Sequence, residues 1–235
     1  MFEEKDFPFL AEKGHVVSFV GGGGKTTLMY AAAAYCARKG WHVLAATTTH
    51  IMQPPGGVWA RTDAQRDALW NSGRYAVAGT SAPGGKLTAP PAELLERWMP
   101  QADIILIEAD GAKRMPCKAP AAHEPVILPQ CDIVLAVAGA SALGRPLSEV
   151  CFRAELAAES LCVPPDAELT PELLAKLLAS EKGGRKAVNA RAFCAVLNQA
   201  DEGPRHRLAQ QTAGILREIY RVPCVLTWFE EGERA

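Results

Sequence analysis

Val20-Gly21-Gly22-Gly23-Gly24-Lys25-Thr26-Thr27 is the run in this chain whose residue types can do the most chemistry together. Glycines let backbone N–H groups approach phosphate oxygens, and a helix opening at the end of the run adds its partial positive charge. Lys25 would neutralise the β/γ region of a bound polyphosphate, and the Thr26 hydroxyl can ligate Mg²⁺. In the common G-x-x-x-x-G-K-[ST] spacing the first glycine falls at position 19, which here is Phe19. Read as G-x-x-G-K-T on Gly21 and Gly24, the loop has the shorter form seen in the amide ligases of cell-wall precursor synthesis. The plain alternative is a flexible glycine turn; strand, lysine, threonine and helix all coinciding weighs against it.

Glu108 and Asp110 close the apolar run Asp103-Ile104-Ile105-Leu106-Ile107-Glu108. Acids at the carboxyl end of a parallel strand face the ligand crevice and can hold Mg²⁺ through water. The expectation is that Thr26 and Asp110 hold the metal, that Lys25 stabilises charge on the transferring phosphoryl, and that Glu108 or His50 orients the nucleophile. A solvated strand end is the bland reading of the same acids. His50 ends the block Thr47-Thr48-Thr49-His50, where hydroxyls would face metal or γ-phosphate if the threonines are not simply β-formers.

Asn198-Gln199-Ala200-Asp201 resembles the N-K-x-D element that reads guanine, with Gln199 in place of lysine. An Asp201 carboxylate can accept from guanine N1–H and N2–H₂ together, whereas adenine leaves that charge without donors. Sites of this kind reject the wrong analogue by roughly 10⁴-fold. The set therefore predicts Mg²⁺ with GTP or ATP, GTP preferred, on Gly21 to Thr27 with Asn198 and Asp201. A polar strand-to-helix loop is the competing reading of residues 198–201.

Lys113, Arg114 and Lys118, followed by His123-Glu124-Pro125, could take an anionic substrate or form a solvated loop. Cys117 lies among those cations, which would lower a thiol's pKa, although most scattered cysteines are inert packing residues. A zinc site drawn from His50, Glu108, Asp110 and His123 is disfavoured, because tight spacing such as H-x₃-H is absent.

The elements that must position these groups alternate. Strands are expected over 15–20, 43–47, 75–78, 103–108, 131–138, 191–198 and 222–227. Helices are expected over 26–39, 63–70, 91–99, 151–161, 172–180 and 204–220. That alternation predicts a doubly wound, mostly parallel α/β sheet in three layers, of the P-loop NTPase type. The 235 residues read as a single domain, with 145–190 as a small helical insertion. Lys plus Arg (25) against Asp plus Glu (26) gives a net charge of −1 without long runs of one sign, which argues against nucleic acid as a partner. Seven scattered cysteines, an acidic N-terminus and short apolar runs predict a cytoplasmic chain with reduced thiols and no membrane partner.

Together VGGGGKTTL, ATTTHI, IEADGAKRMPCKAPAAHEPVI, VLAVAGASALGRPL and LNQAD resemble the selenium-dependent molybdenum hydroxylase accessory proteins, the YqeC-like family. The resemblance spans roughly residues 14–202, and the EADGAK to HEP block is its most specific part. It implies a cytoplasmic P-loop protein assisting maturation of molybdenum hydroxylases or their molybdopterin cofactor, with Lys25, Thr26, Glu108 and Asp110 at the nucleotide and Mg²⁺ site. A small-molecule kinase or ATP-dependent ligase, or a nucleotide-dependent carrier with negligible turnover, remains open as an alternative.

Overall fold

The computed structural model describes residues 6–201 and 203–229. Strand β1 (His15–Gly21) runs through the glycine loop into helix α1 (Lys25–Arg38), which leads to β2 (Val43–Thr47). Next come β3 (His50–Met52), β4 (Trp59–Ala60), α2 (Asp63–Asn71), β5 (Ala76–Ala78), β6 (Thr80–Ala82) and β7 (Lys86–Thr88). Helix α3 (Ala92–Trp98) precedes β8 (Ile104–Glu108), then β9 (Cys117–Lys118) and β10 (Ile133–Gly139). The last part holds α4 (Leu147–Val150), β11 (Cys151–Phe152), α5 (Ala154–Leu161), α6 (Pro171–Ala179), β12 (Ala192–Asn198), α7 (Pro204–Glu218) and β13 (Cys224–Leu226).

Eight strands make one sheet in the order β13-β12-β10-β1-β8-β2-β5-β4, and every pairing in it is parallel. Helices flank the sheet in three layers, as expected for a P-loop NTPase-like fold. All residues of β2 and β8 are buried, which explains why both read as unbroken apolar runs and not as alternating ones. From β1 the chain winds outward through β2 on one side, while β10, β12 and β13 are added on the other. The winding reverses beside β1, and α/β sheets take ligands at the carboxyl ends of the strands beside such a reversal. Register puts Phe19 between Glu108 and Leu135, and Thr47 beside Glu108, so the motif residues share one edge.

Two parts depart from the expected elements. The 50–88 stretch contains a separate antiparallel sheet, β3-β7-β6, whose short strands carry too little periodicity to be read in advance. The helix expected from Cys151 starts at Ala154. Cys151 and Phe152 pair instead with Cys117 and Lys118, and Arg153 turns the chain at φ 64°. Tertiary pairing overrides helix propensity there. Within 145–190, Leu147, Leu161, Leu174 and Leu177 belong to the same buried cluster as the sheet. No helix among the described residues is long and apolar enough to cross a membrane.

Candidate functional site

The glycine loop between β1 and α1 is shaped by its backbone. Gly24 caps α1 at φ 95°, a left-handed conformation that costs glycine little. A side chain at Gly23 would put its Cβ 2.0 Å from the Gly139 amide nitrogen, so only glycine lets the loop lie against β10. The Gly22 amide donates to Val137 O (2.8 Å) and the Gly23 amide to Met115 O (3.1 Å). Among the described residues, the amides of Gly24, Lys25, Thr26 and Thr27 donate to no protein acceptor. Gly24 is exposed and the two threonines are partly so. These are the orphan N–H groups of a helix N-terminus, pointing where an anion can reach them.

Lys25 is turned inward and only 4% exposed. Its ammonium donates to Gly21 O (2.6 Å) and lies 3.3 Å from Asp110 Oδ1 and 3.7 Å from Glu108 Oε1. The Thr26 hydroxyl donates to Glu108 Oε2 at 2.6 Å. Burial pushes the Glu108 carboxyl up despite the Lys25 charge and the Thr26 hydrogen bond, and nearby Asp110 adds to the rise. Asp110 instead accepts from the Gly21 amide with both oxygens, at 3.1 Å each, and faces Lys118 Nζ at 2.9 Å.

Lys118 is the residue that spacing did not reveal. Its side chain is 0% exposed and also meets Glu124 Oε2 (2.8 Å) and Gly111 O (2.6 Å). Glu124 in turn receives Arg153 Nη1 at 2.6 Å. Burial opposes the Glu124 charge, yet hydrogen bonds from Lys118, Arg153 and the Ala121 amide outweigh it and hold the carboxyl down at about 2. An alternating chain, Lys25–Asp110–Lys118–Glu124–Arg153, therefore runs from the glycine loop into the protein. Within the loop 113–124, Lys118 and Glu124 are internal, whereas Lys113, Arg114 and His123 are exposed.

Asn198, at the end of β12, is brought to the loop: its Nδ2 donates to Gly23 O (2.8 Å), and its Oδ1 accepts from Thr227 (3.1 Å). Gln199 sits at φ 59° and accepts from the Ser141 hydroxyl above Gly139. Asp201 is exposed and paired with Arg205 at 2.9 Å. Thr47 donates to Glu108 O at 2.9 Å, which fixes the turn after β2 to the acidic strand. His50 lies in β3, exposed and opposite Thr88, and no described hydrogen bond joins its ring to Glu108 or the loop. Among the described residues no group of three or more His, Cys, Asp or Glu converges as metal ligands.

Cys117 corrects an expectation. It is buried, and its hydrogen bond with Cys151 followed by desolvation pushes the thiol well above its usual range, so the neighbouring cations do not activate it. Lys118, the nearest in sequence, is committed to Asp110 and Glu124. A brief iodoacetamide pulse on native protein should modify exposed Cys162 first and leave Cys117 and Cys151 unmodified until unfolding, as read by peptide mass spectrometry. Native labelling of Cys117 as fast as Cys162 would contradict this.

A family model described as YqeC protein matches residues 17–155. The chain belongs to the YqeC family. A curated relative, "Uncharacterized protein YqeC" of Escherichia coli (strain K12), is 35% identical over 181 residues, covering 74% of this chain and 71% of the relative. The segment matched to the YqeC family holds the glycine loop, Glu108 and Asp110, and the chain of Lys118, Glu124 and Arg153 behind them. Asn198 and Asp201 lie beyond that match.

Proposed function

We propose that this YqeC-family chain binds a nucleoside triphosphate with Mg²⁺, GTP in preference to ATP, and hydrolyses it or transfers its terminal phosphoryl. The observation that carries the reading is the Thr26 hydroxyl 2.6 Å from Glu108 at the mouth of a loop with uncommitted amides. Hydroxyl and carboxylate are the hard oxygen donors that suit Mg²⁺, which completes its shell with water and phosphate. A desolvated carboxylate whose proton affinity is raised gains from a nearby dication. Lys25 would turn from Asp110 toward the phosphates, which Asp110 tolerates because Lys118 and the Gly21 amide still face it. The exposed Asp201–Arg205 pair is worth at most about 1 kcal/mol, so a guanine edge could compete with Arg205 for the carboxylate.

The cellular role follows the family resemblance: cytoplasmic assistance in maturing selenium-dependent molybdenum hydroxylases or their molybdopterin-type cofactor. Calorimetric titration with GTP and ATP in Mg²⁺ buffer tests the nucleotide reading. GTP should bind the more tightly, Lys25→Ala should lose about 100-fold in affinity, roughly 2.7 kcal/mol, and Asp201→Asn should level the two nucleotides. Stronger ATP binding unchanged by Asp201→Asn removes the guanine assignment, and unaltered binding by Lys25→Ala removes the phosphate-loop assignment. The short G-x-x-G-K-T loop favours a kinase or ligase as a second reading, and that one yields a phosphorylated or ligated product in place of free phosphate.

A further inference from the structure

We propose that Arg114 reads the terminal phosphate of a nucleotide bound at the phosphate loop, and so separates triphosphate from diphosphate. The inference rests on the nucleotide reading above and assigns a residue that reading leaves unused.

Lys113 and Arg114 are consecutive non-glycine residues at φ 47° and 63° in an exposed loop, a conformation that side chains disfavour. The backbone that follows is clamped to the phosphate site. Met115 O accepts the Gly23 amide at 3.1 Å, and Pro116 O accepts the Gly139 amide at 2.7 Å. Arg114 is thus one residue from a direct contact with the loop, in a turn whose shape the surroundings impose.

Its side chain crosses toward α1. Arg114 Nη2 lies 3.7 Å from Met52 Sδ, and Met52 O accepts from Tyr30 Oη at 3.4 Å. Tyr30 stands one helical turn beyond Thr26 on the same face of α1. The guanidinium therefore bridges the segment leaving β8 and strand β3, whose Met52 O is tied to α1 through Tyr30. A thioether is a weak acceptor, and no described carboxylate pairs with Arg114. Arg66, Arg153 and Arg191 are all committed to carboxylate or carbonyl oxygens. Lys113 is directed elsewhere, with Nζ 5.0 Å from the Phe152 ring centre.

A planar fork of N–H donors suits phosphate oxygens, and it would add a second positive charge beside that of Lys25. Exchanging the Met52 sulfur for a phosphate oxygen costs the protein one weak contact. Such an arginine binds the group that a diphosphate lacks.

The test is calorimetry in Mg²⁺ buffer with a non-hydrolysable GTP analogue and with GDP, on parent, Arg114→Gly and Arg114→Lys. Glycine removes the guanidinium and also suits the positive φ, so the variant should fold; a thermal melt verifies it. Arg114→Gly should bind the triphosphate analogue about tenfold or more weakly while GDP affinity stays within about twofold, and Arg114→Lys should recover part of the loss. Unchanged affinity for both ligands, or equal losses for both, overturns the assignment and leaves the nucleotide reading standing. A parent that binds neither ligand overturns both.

Discussion

Replacing Lys118 by Met is expected to lower the thermal unfolding midpoint by roughly 10 °C at neutral pH, although no ligand is involved. The ammonium is fully buried and bonded to Asp110, Glu124 and Gly111 O. Methionine fills similar space and removes only the charge, leaving two buried carboxylates with fewer partners. Breaking a buried pair in this way costs about 3–5 kcal/mol, and each kcal/mol is worth about 2–4 °C in a chain of this size. The pH dependence has a definite sign. Glu124 is held at about 2 against an ordinary 4.5, so its contribution is complete above 4.5 and disappears as pH falls toward 2. In Lys118→Met that contribution shrinks, and the gap between variant and parent should close through the same acid window. Melts followed by circular dichroism across that window decide it; a neutral-pH shift under about 2 °C would show that the ion chain is not what holds this region.

The structural frame was largely legible because its signals are local. Unbroken apolar runs at Val43–Thr47 and Asp103–Glu108 mark strands buried on both faces, and the glycine run before Lys25 can only be a turn between strand and helix. Which motif residues come together was legible in part: Lys25, Thr26, Glu108 and Asn198 all meet at the glycine loop, because strand ends and the turn before α1 share one edge of the sheet. Partner choice was not legible. Whether Thr26 meets Glu108 or Asp110 depends on which of two acids beside one strand end faces α1, and the sequence carries both. The burial of Lys118 was not legible, because Glu124 and the Arg153 behind it are brought to it with the β9–β11 pairing. The same pairing took Cys151 and Phe152 out of the helix that their neighbours favour. His50 follows directly on β2 in sequence, and the β3–β7 pairing, which no local signal announces, sets it at an exposed position opposite Thr88.

Lys25→Met should fold, yet its stability should fall as pH rises, by up to about 1.4 kcal/mol per pH unit over part of the range above 4.5. Glu108 is a buried acid already raised by desolvation and restrained by the Lys25 ammonium and the Thr26 hydroxyl. Without that ammonium its folded-state pKa climbs further. Above the ordinary 4.5 the unfolded chain releases this proton while the folded chain keeps it, so each rise in pH favours unfolding until the folded value is passed. In the parent the same slope ends at lower pH, because Lys25 stabilises the ionised form. Urea denaturation at intervals from about pH 5 to 8 would show the steeper and longer decline in Lys25→Met, and Lys25→Met/Glu108→Gln should lack it. If single and double variants follow the same pH course, Glu108 is not the group that Lys25 restrains. A neutralised Glu108 also has less to offer a dication, so the variant should lose the response of its melting temperature to Mg²⁺ with triphosphate even while folded.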